Sequence, residues 1–151
     1  MICRDVAFWD SLAHHPDVAP HIFMGMEPVT LASLILNEDN LPLRSEHGGV
    51  ILTAVGSFGM AREMHTLYHP DGWGREVAKN GKLFMREAFK SCQVILTQEQ
   101  EGNWRSVPPK SHGWKSVGDY CYVGMPKRLK LWMLTKEAFE ASPVGRKLQC
   151  Q

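Results

Sequence analysis

The chain has 151 residues, the length of one domain, and can bury roughly two-thirds of its unfolded surface around one core. Apolar residues make up 44% and charged residues 22%, which excludes the disordered, collagen-like and coiled-coil classes. With 17 basic against 16 acidic side chains the formal charge is +1, so no global field holds duplex nucleic acid and any phosphate contact has to be local.

Residues 4 to 14 place Val6, Trp9, Leu12 and Ala13 near helical spacing until Pro16 intervenes, so the chain opens on a short helix. Val29 to Leu36 is apolar enough for a helix or a strand, and the Asn-Glu-Asp-Asn run after it is loop chemistry. Gly48-Gly49 leads into Val50-Ile-Leu-Thr-Ala-Val55, whose β-branched residues and closing Gly56 predict a buried strand. A second strand is expected at 61 to 68, with Gly56-Ser-Phe-Gly59 as the turn of an antiparallel hairpin.

His69-Pro-Asp-Gly-Trp-Gly74 is a turn-rich loop, and after it Val77, Leu83, Phe84, Ala88 and Phe89 recur on one side of a helix. Gln93 to Thr97 is a short apolar run following a helix, hence a strand parallel to the one before it, and a βαβ unit occupies residues 61 to 97. A short helical or turn segment is expected at 103 to 112, strands at 119 to 124 and 129 to 134, and a last helix that Thr135 caps and Pro143 ends.

Cys3, Cys92, Cys121 and Cys150 form no C-x-x-C pair, which disfavours a zinc site and a redox motif, and Cys92 and Cys121 read as small core residues. None of the seven histidines falls into H-E-x-x-H, so no metal is expected. No apolar run approaches the ~18 residues of a membrane span and no signal-peptide pattern is present, so neither a membrane nor a nucleic acid is expected as partner. Trp73 and Trp104 fall in loops, where a ring either marks a partner surface or folds back over the adjacent helix.

The segment from Glu63 to Phe89, a strand followed by His-Pro-Asp-Gly-Trp-Gly-Arg and a helix, resembles the cofactor-binding strand, loop and helix of the GNAT N-acetyltransferase superfamily, whose loop reads Gln/Arg-x-x-Gly-x-Gly/Ala. Gly72 and Gly74 satisfy part of that motif, while Asp71 stands where the family has Gln/Arg and Glu76 where it has its last small residue. Asn103, followed ten residues later by Gly113-Trp-Lys-Ser-Val-Gly118, resembles the superfamily's asparagine and "Gly-Phe-x-x-x-Gly" sequence. Between them stand Pro108 and Pro109 and no tyrosine, although the family often places its general acid there. His15-Pro-Asp-Val-Ala-Pro20, Glu63-Met-His-Thr66, Ser111-His-Gly-Trp-Lys115 and Leu131-Trp-Met-Leu-Thr-Lys-Glu-Ala-Phe139 together resemble a bacteriophage-encoded branch of GNAT-like proteins.

The resemblance implies an α/β class with a GNAT-like mixed, twisted sheet, helices on both faces and a cleft where two central parallel strands diverge, in a single domain over residues 1 to 151. It implies acetyl-CoA as cofactor, with Asp71, Gly72, Trp73, Gly74 and Arg75 around the pyrophosphate and Asn103 as a pantetheine-side or helix-capping contact. The backbone N–H of Leu67 or Tyr68, at a strand bulge, would be the oxyanion donor. Glu63 and His65 are two apart on one strand and share a face, which makes them the candidate bases for deprotonating an amine. Tyr120 or Tyr122 would replace the missing acid. The partner would be a small-molecule or protein amine, in the cytoplasm of the host cell. The rival expectation is a non-catalytic phage protein of virion structure or assembly, packing exposed tryptophans and methionines against other virion subunits in the virion interior.

Overall fold

The computed structural model describes residues 1–56, 59–121, 123 and 127–150, with the backbone alone at Trp104. One mixed sheet runs in the order β1-β2-β3-β4-β6-β5, built from β1 (Leu41–Arg44), β2 (Gly48–Val55), β3 (Ala61–Tyr68), β4 (Val94–Gln100), β5 (Lys115–Tyr120) and β6 (Leu129–Thr135). The helices are α1 (Val6–Ala13), α2 (Ala19–Ile22), α3 (Ala32–Leu36), α4 (Arg75–Ala88), α5 (Lys136–Ala141) and α6 (Pro143–Gln149). β3 and β4 run parallel, joined through α4, and the other neighbouring strands are antiparallel.

Alternation along the strands divides the core into two layers. Val50, Leu52 and Tyr68 face α4 and the C-terminal helices, packing with Phe84, Met85, Phe89, Ile95, Leu134 and Phe139. Ile51 and Leu67 face the other way, onto Trp9, Leu12, Phe23, Leu31 and Ile35 of the N-terminal helices and loops. β2 is therefore covered on both faces, and its sequence reads as one continuous apolar run rather than an alternation. Local chemistry fixes the helix starts. Asp5 accepts the Phe8 N–H at 3.2 Å to cap α1, and Thr135 accepts the Ala138 N–H at 3.1 Å to cap α5.

Several sequence expectations change. The Val29 to Leu36 stretch is a helix only from Ala32. β1 follows the Asn-Glu-Asp-Asn loop and includes Pro42, tolerated because β1 is an edge strand. The strand expected at 119 to 124 begins earlier, at Lys115, as a mostly exposed edge strand with a register irregularity between Ser116 and Gly118. Pro143 does not end the chain's helices; it opens α6, with Ser142 closing α5 and accepting the Gly145 N–H to cap the next helix. Cys92 is buried as expected, but Cys121 is exposed. Of the hairpin turn, Ser57 and Phe58 lie outside the described residues.

Candidate functional site

β3 pairs with β2 along its whole length, from Gly48 opposite Tyr68 to Val55 opposite Ala61, with no shift of register. It pairs with β4 over only three positions, ending at Glu63 opposite Leu96. One step further Thr97 Oγ1 donates to the Met64 carbonyl at 3.0 Å, and beyond it the two parallel strands no longer pair.

Backbone groups in a strand point alternately to its two edges. The His69 N–H donates to the His47 carbonyl at 2.8 Å and the Gly48 carbonyl accepts from Ser45 at 2.7 Å, so Glu63, His65 and Leu67 turn their backbone groups toward β2. Met64, Thr66 and Tyr68 turn theirs into the gap beside β4. Of the two expected oxyanion donors, Leu67 has its N–H directed at Gly49, its partner in the register, and only Tyr68 faces the gap. The expected bulge is absent from the β2–β3 ladder.

The gap opens into a cavity of ≈ 780 Å³ whose wall includes six consecutive residues, Glu63 to Tyr68. The cavity thus wraps the unpaired edge of β3 and reaches both faces of the sheet. On one face it is bounded by Trp73, Gly74, Val77 and Ala78 at the start of α4; on the other by Val18, Ile22, Phe23, Leu31 and Leu34.

Glu63 and His65 lie together on the second face. Glu63 Oε1 accepts from Gln98 Nε2 at 2.5 Å, and Glu63 Oε2 is 4.0 Å from His65 Nε2. His65 Nε2 is also 3.3 Å from Thr53 Oγ1. Burial lowers the His65 pKa below 6.5, and the neighbouring Glu63 charge only partly opposes it. The imidazole is therefore neutral near pH 7 and able to accept a proton.

The loop before α4 is shaped by its own residues. His69 Nδ1 accepts the Asp71 N–H at 3.3 Å, closing a 3-10 turn over Pro70–Gly72, and the exposed Asp71 carboxylate lies 3.2 Å from the same nitrogen. A Cβ on Gly72 would come within 2.8 Å of His47 Cβ and 2.9 Å of the Tyr68 ring, so packing alone requires glycine there. Gly74 has φ +85° and ψ −97° with open space around it, leaving the N-terminus of α4 unobstructed.

Glu76 does not face that opening. It accepts the His47 N–H at 3.1 Å and its other oxygen is 2.8 Å from His47 Nδ1, which ties the carboxylate to the loop between β1 and β2. Burial pushes its pKa up, but hydrogen bonds from Ser45 and His47 outweigh it and the net shift is downward. Of the two carboxylates that depart from the family's loop motif, Glu76 is thereby turned away from the loop opening. Asp71, Gly72 and Arg75 are not among the described residues lining the cavity, whereas Trp73 and Gly74 are.

Trp73 folds back, its ring centroid 6.0 Å from that of Tyr68 and 5.3 Å from the Arg105 guanidinium carbon. Its indole N–H is buried in the cavity wall without an acceptor. Asn103 lines the cavity and caps the turn after β4, accepting the Arg105 N–H at 3.2 Å and the Ser106 hydroxyl at 2.7 Å. Tyr120 ends the edge strand β5, with β6 between it and β4, and does not line the cavity; Tyr122 lies outside the described residues. His112 does line it, 7% exposed, its pKa lowered by burial. The sequence offered no signal for His112, for Thr66 or for Gln98, because their roles come from the divergence of the strands. Among the described residues no three His, Cys, Asp or Glu are grouped to hold a metal, and no helix is long and apolar enough to cross a membrane.

The unpaired edge of β3, the open helix start at Gly74 and the orphaned Trp73 N–H fit an extended amide-bearing chain ending in phosphates, which is the shape of coenzyme A.

No protein-family model matches the chain, and no curated protein matches it in sequence. Solved structures do match in fold. The chain is similar to the spermidine N-acetyltransferase from Vibrio cholerae in complex with CoA and spermine, with a TM-score of 0.69 at 13% identity over 92% of this chain and 94% of the other. It is similar to an aminoglycoside acetyltransferase in complex with coenzyme A, with a TM-score of 0.67 at 15% identity over 93% and 95%. A ribosomal-protein-alanine N-acetyltransferase from Brucella melitensis matches with a TM-score of 0.64 at 14% identity over 89% and 98%. The mixed six-stranded sheet with helices on both faces is the GNAT acetyltransferase fold.

Proposed function

We propose that the chain is an acyl-CoA-dependent N-acyltransferase acting on a primary amine. The observation that carries this reading is the cavity lined without a break by Glu63 to Tyr68, where β3 keeps β2 as a partner and loses β4. Bound acyl-CoA supplies the thioester carbonyl that the amine attacks.

The protein's own groups divide the work. The N–H of Tyr68 and the carbonyl of Thr66 hold the amides of the pantetheine arm along the open strand edge. Gly74 and the start of α4 receive the pyrophosphate, with Arg75 as the nearby cation, and the Trp73 N–H donates to an oxygen of the bound arm. Glu63 takes the proton from the ammonium, directly or through water, with the neutral His65 beside it. The Thr66 N–H stabilises the developing oxyanion, because Thr66 adjoins His65 whereas Tyr68 is roughly 7 Å further along the strand. The leaving thiolate takes the second proton that the attacking nitrogen sheds, and His112, neutral in the same cavity wall, offers a hydrogen bond from its ring N–H.

Acetyl-CoA as the donor, a phage-encoded origin and action in the host cytoplasm belong to the same proposal and rest on the sequence resemblance. The structural virion role drew on exposed tryptophans and methionines, on the departures in the loop motif and on the missing tyrosine. Trp73 packs on Tyr68 instead, which removes one of the two rings that motivated it; the Trp104 side chain lies outside the description.

Isothermal titration with acetyl-CoA tests the proposal, with Gly74→Glu as the control that puts a side chain and a negative charge at the start of α4. Micromolar binding that the variant loses supports it. No binding at millimolar acetyl-CoA contradicts it.

A further inference from the structure

The half of the cavity facing the N-terminal helices carries information about the amine, and this inference rests on the acyltransferase reading. Its walls are apolar: Val18, Ile22, Phe23, Leu31 and Leu34. Among the described lining residues of that half, the carboxylates are Glu63 inside and Asp17 on an exposed position, 4.0 Å from His15. A ligand with several ammonium groups needs a carboxylate or its equivalent for each one it buries. This half offers one inside.

Beyond Glu63 the wall holds two polar atoms without partners. Gln100 Nε2 donates to the His21 backbone carbonyl at 2.5 Å, which fixes the orientation of the amide and leaves Gln100 Oε1 buried and unbonded. His21 Nδ1 is buried and unbonded as well, and both residues line the cavity. Buried polar atoms without partners are unfavourable and rare unless a ligand or water completes them. A carboxamide oxygen accepts and an imidazole nitrogen accepts or donates, so a group that both donates and accepts, such as a hydroxyl, suits the two together.

The spacing follows from the strand. Gln98, bonded to Glu63, and Gln100 are two apart on β4 and share a face, so their side chains leave the strand roughly 7 Å apart. We infer that the acceptor is a primary amine with a single positive charge on an apolar body, carrying a hydroxyl or similar donor–acceptor group about 7 Å from the amine nitrogen. The amine sits at Glu63 and His65, the apolar body lies against Ile22, Leu31 and Leu34, and the hydroxyl bonds Gln100 Oε1 and His21 Nδ1.

The test uses three probe amines titrated calorimetrically into the whole protein, with and without saturating coenzyme A: tyramine, phenethylamine and spermine. Tyramine binds most tightly; phenethylamine, lacking the hydroxyl, and spermine, a polycation with no apolar body, each bind about tenfold more weakly or worse. Gln100→Leu brings tyramine down to the level of phenethylamine and leaves phenethylamine unchanged. Because Gln100 also pins α2, Leu34→Asp at the partly exposed wall gives an independent check: it weakens tyramine and phenethylamine together and leaves coenzyme A affinity unaltered. Spermine binding as tightly as tyramine, equal affinities for tyramine and phenethylamine, or no binding of any of the amines overturns the inference. A failure of acetyl-CoA to bind in a parallel titration sinks the acyltransferase reading instead, while the ranking of the amines still decides what this half of the cavity accepts.

Discussion

The hydroxyl of Thr97 on β4 donates to the carbonyl of Met64 on β3 at 3.0 Å, one residue past the last paired position of the two parallel strands. A side chain thus takes over from the ladder at the point where the sheet opens, satisfying a carbonyl that β4 no longer reaches. Thr97 is 8% exposed, so the bond is shielded from water. Thr97→Val keeps the shape and leaves the Met64 carbonyl unpaired, at a cost of about 1–3 kcal/mol, whereas Thr97→Ser retains the bond. Urea unfolding of both variants checks this, and equal stability of Thr97→Val and wild type would remove the assigned role.

Gly72 and Gly74 serve different purposes and respond differently to alanine. At Gly72 an added methyl collides with His47 and Tyr68, so Gly72→Ala is destabilised by about 1–3 kcal/mol through overpacking. Gly74→Ala meets no atoms but forces a side chain onto a backbone at φ +85°, a strain of about 1–3 kcal/mol. Shortening His47 to glycine relieves the first variant in part, with the Tyr68 contact remaining, and does not relieve the second. Thermal unfolding of the two double variants reads the difference.

His47 and Glu76 give the stability a pH dependence of known sign. The hydrogen bond that the imidazole donates to Glu76 raises the His47 pKa above 6.5, so its stabilisation is complete below pH 6.5 and lost as pH rises through the raised value. The Glu76 pKa is lowered below 4.5, so its stabilisation is present above pH 4.5 and lost as pH falls. The pair contributes fully between those limits. The stability difference between wild type and His47→Ala should therefore be largest near pH 5.5 and shrink toward pH 9, measured by denaturant titration at each pH. A constant difference across that range would contradict the pairing.

His65 titrates in the opposite sense. Burial lowers its pKa and the Glu63 charge raises it in part, so removing that charge with Glu63→Gln lowers the pKa further. NMR titration of the His65 imidazole should give a midpoint below 6.5 in the wild type and a lower one in the variant. An upward shift would show that the two side chains do not face one another. The same variant should slow acyl transfer by about 10²–10⁴-fold if Glu63 is the base.

Much of this arrangement was legible in the sequence. The apolar run of β2, the hairpin into β3, the glycine loop and the amphipathic α4 all follow from local pattern, and with them the parallel pairing of β3 and β4. β5 was misplaced because Lys115 to Tyr120 is a mostly exposed edge strand with little apolar signal. α6 was missed because a proline after a helix reads equally as a stop or as the first residue of the next. The site's finer features depend on partners distant in the chain. Glu76 turns away from the opening at Gly74 only because His47 lies 29 residues earlier, and Gln100 meets His21 across 79. Neither separation leaves a spacing that a sequence pattern can register.

The central claim is that the unpaired edge of β3 receives the acyl-CoA donor, and amide hydrogen exchange at single-residue resolution tests it most directly. On saturation with acetyl-CoA the N–H groups of Thr66 and Tyr68, which face the gap, should gain protection, while those of His65 and Leu67, bonded across to β2, should exchange as before. Unchanged exchange at Thr66 and Tyr68 with acetyl-CoA bound would place the donor elsewhere and contradict the account.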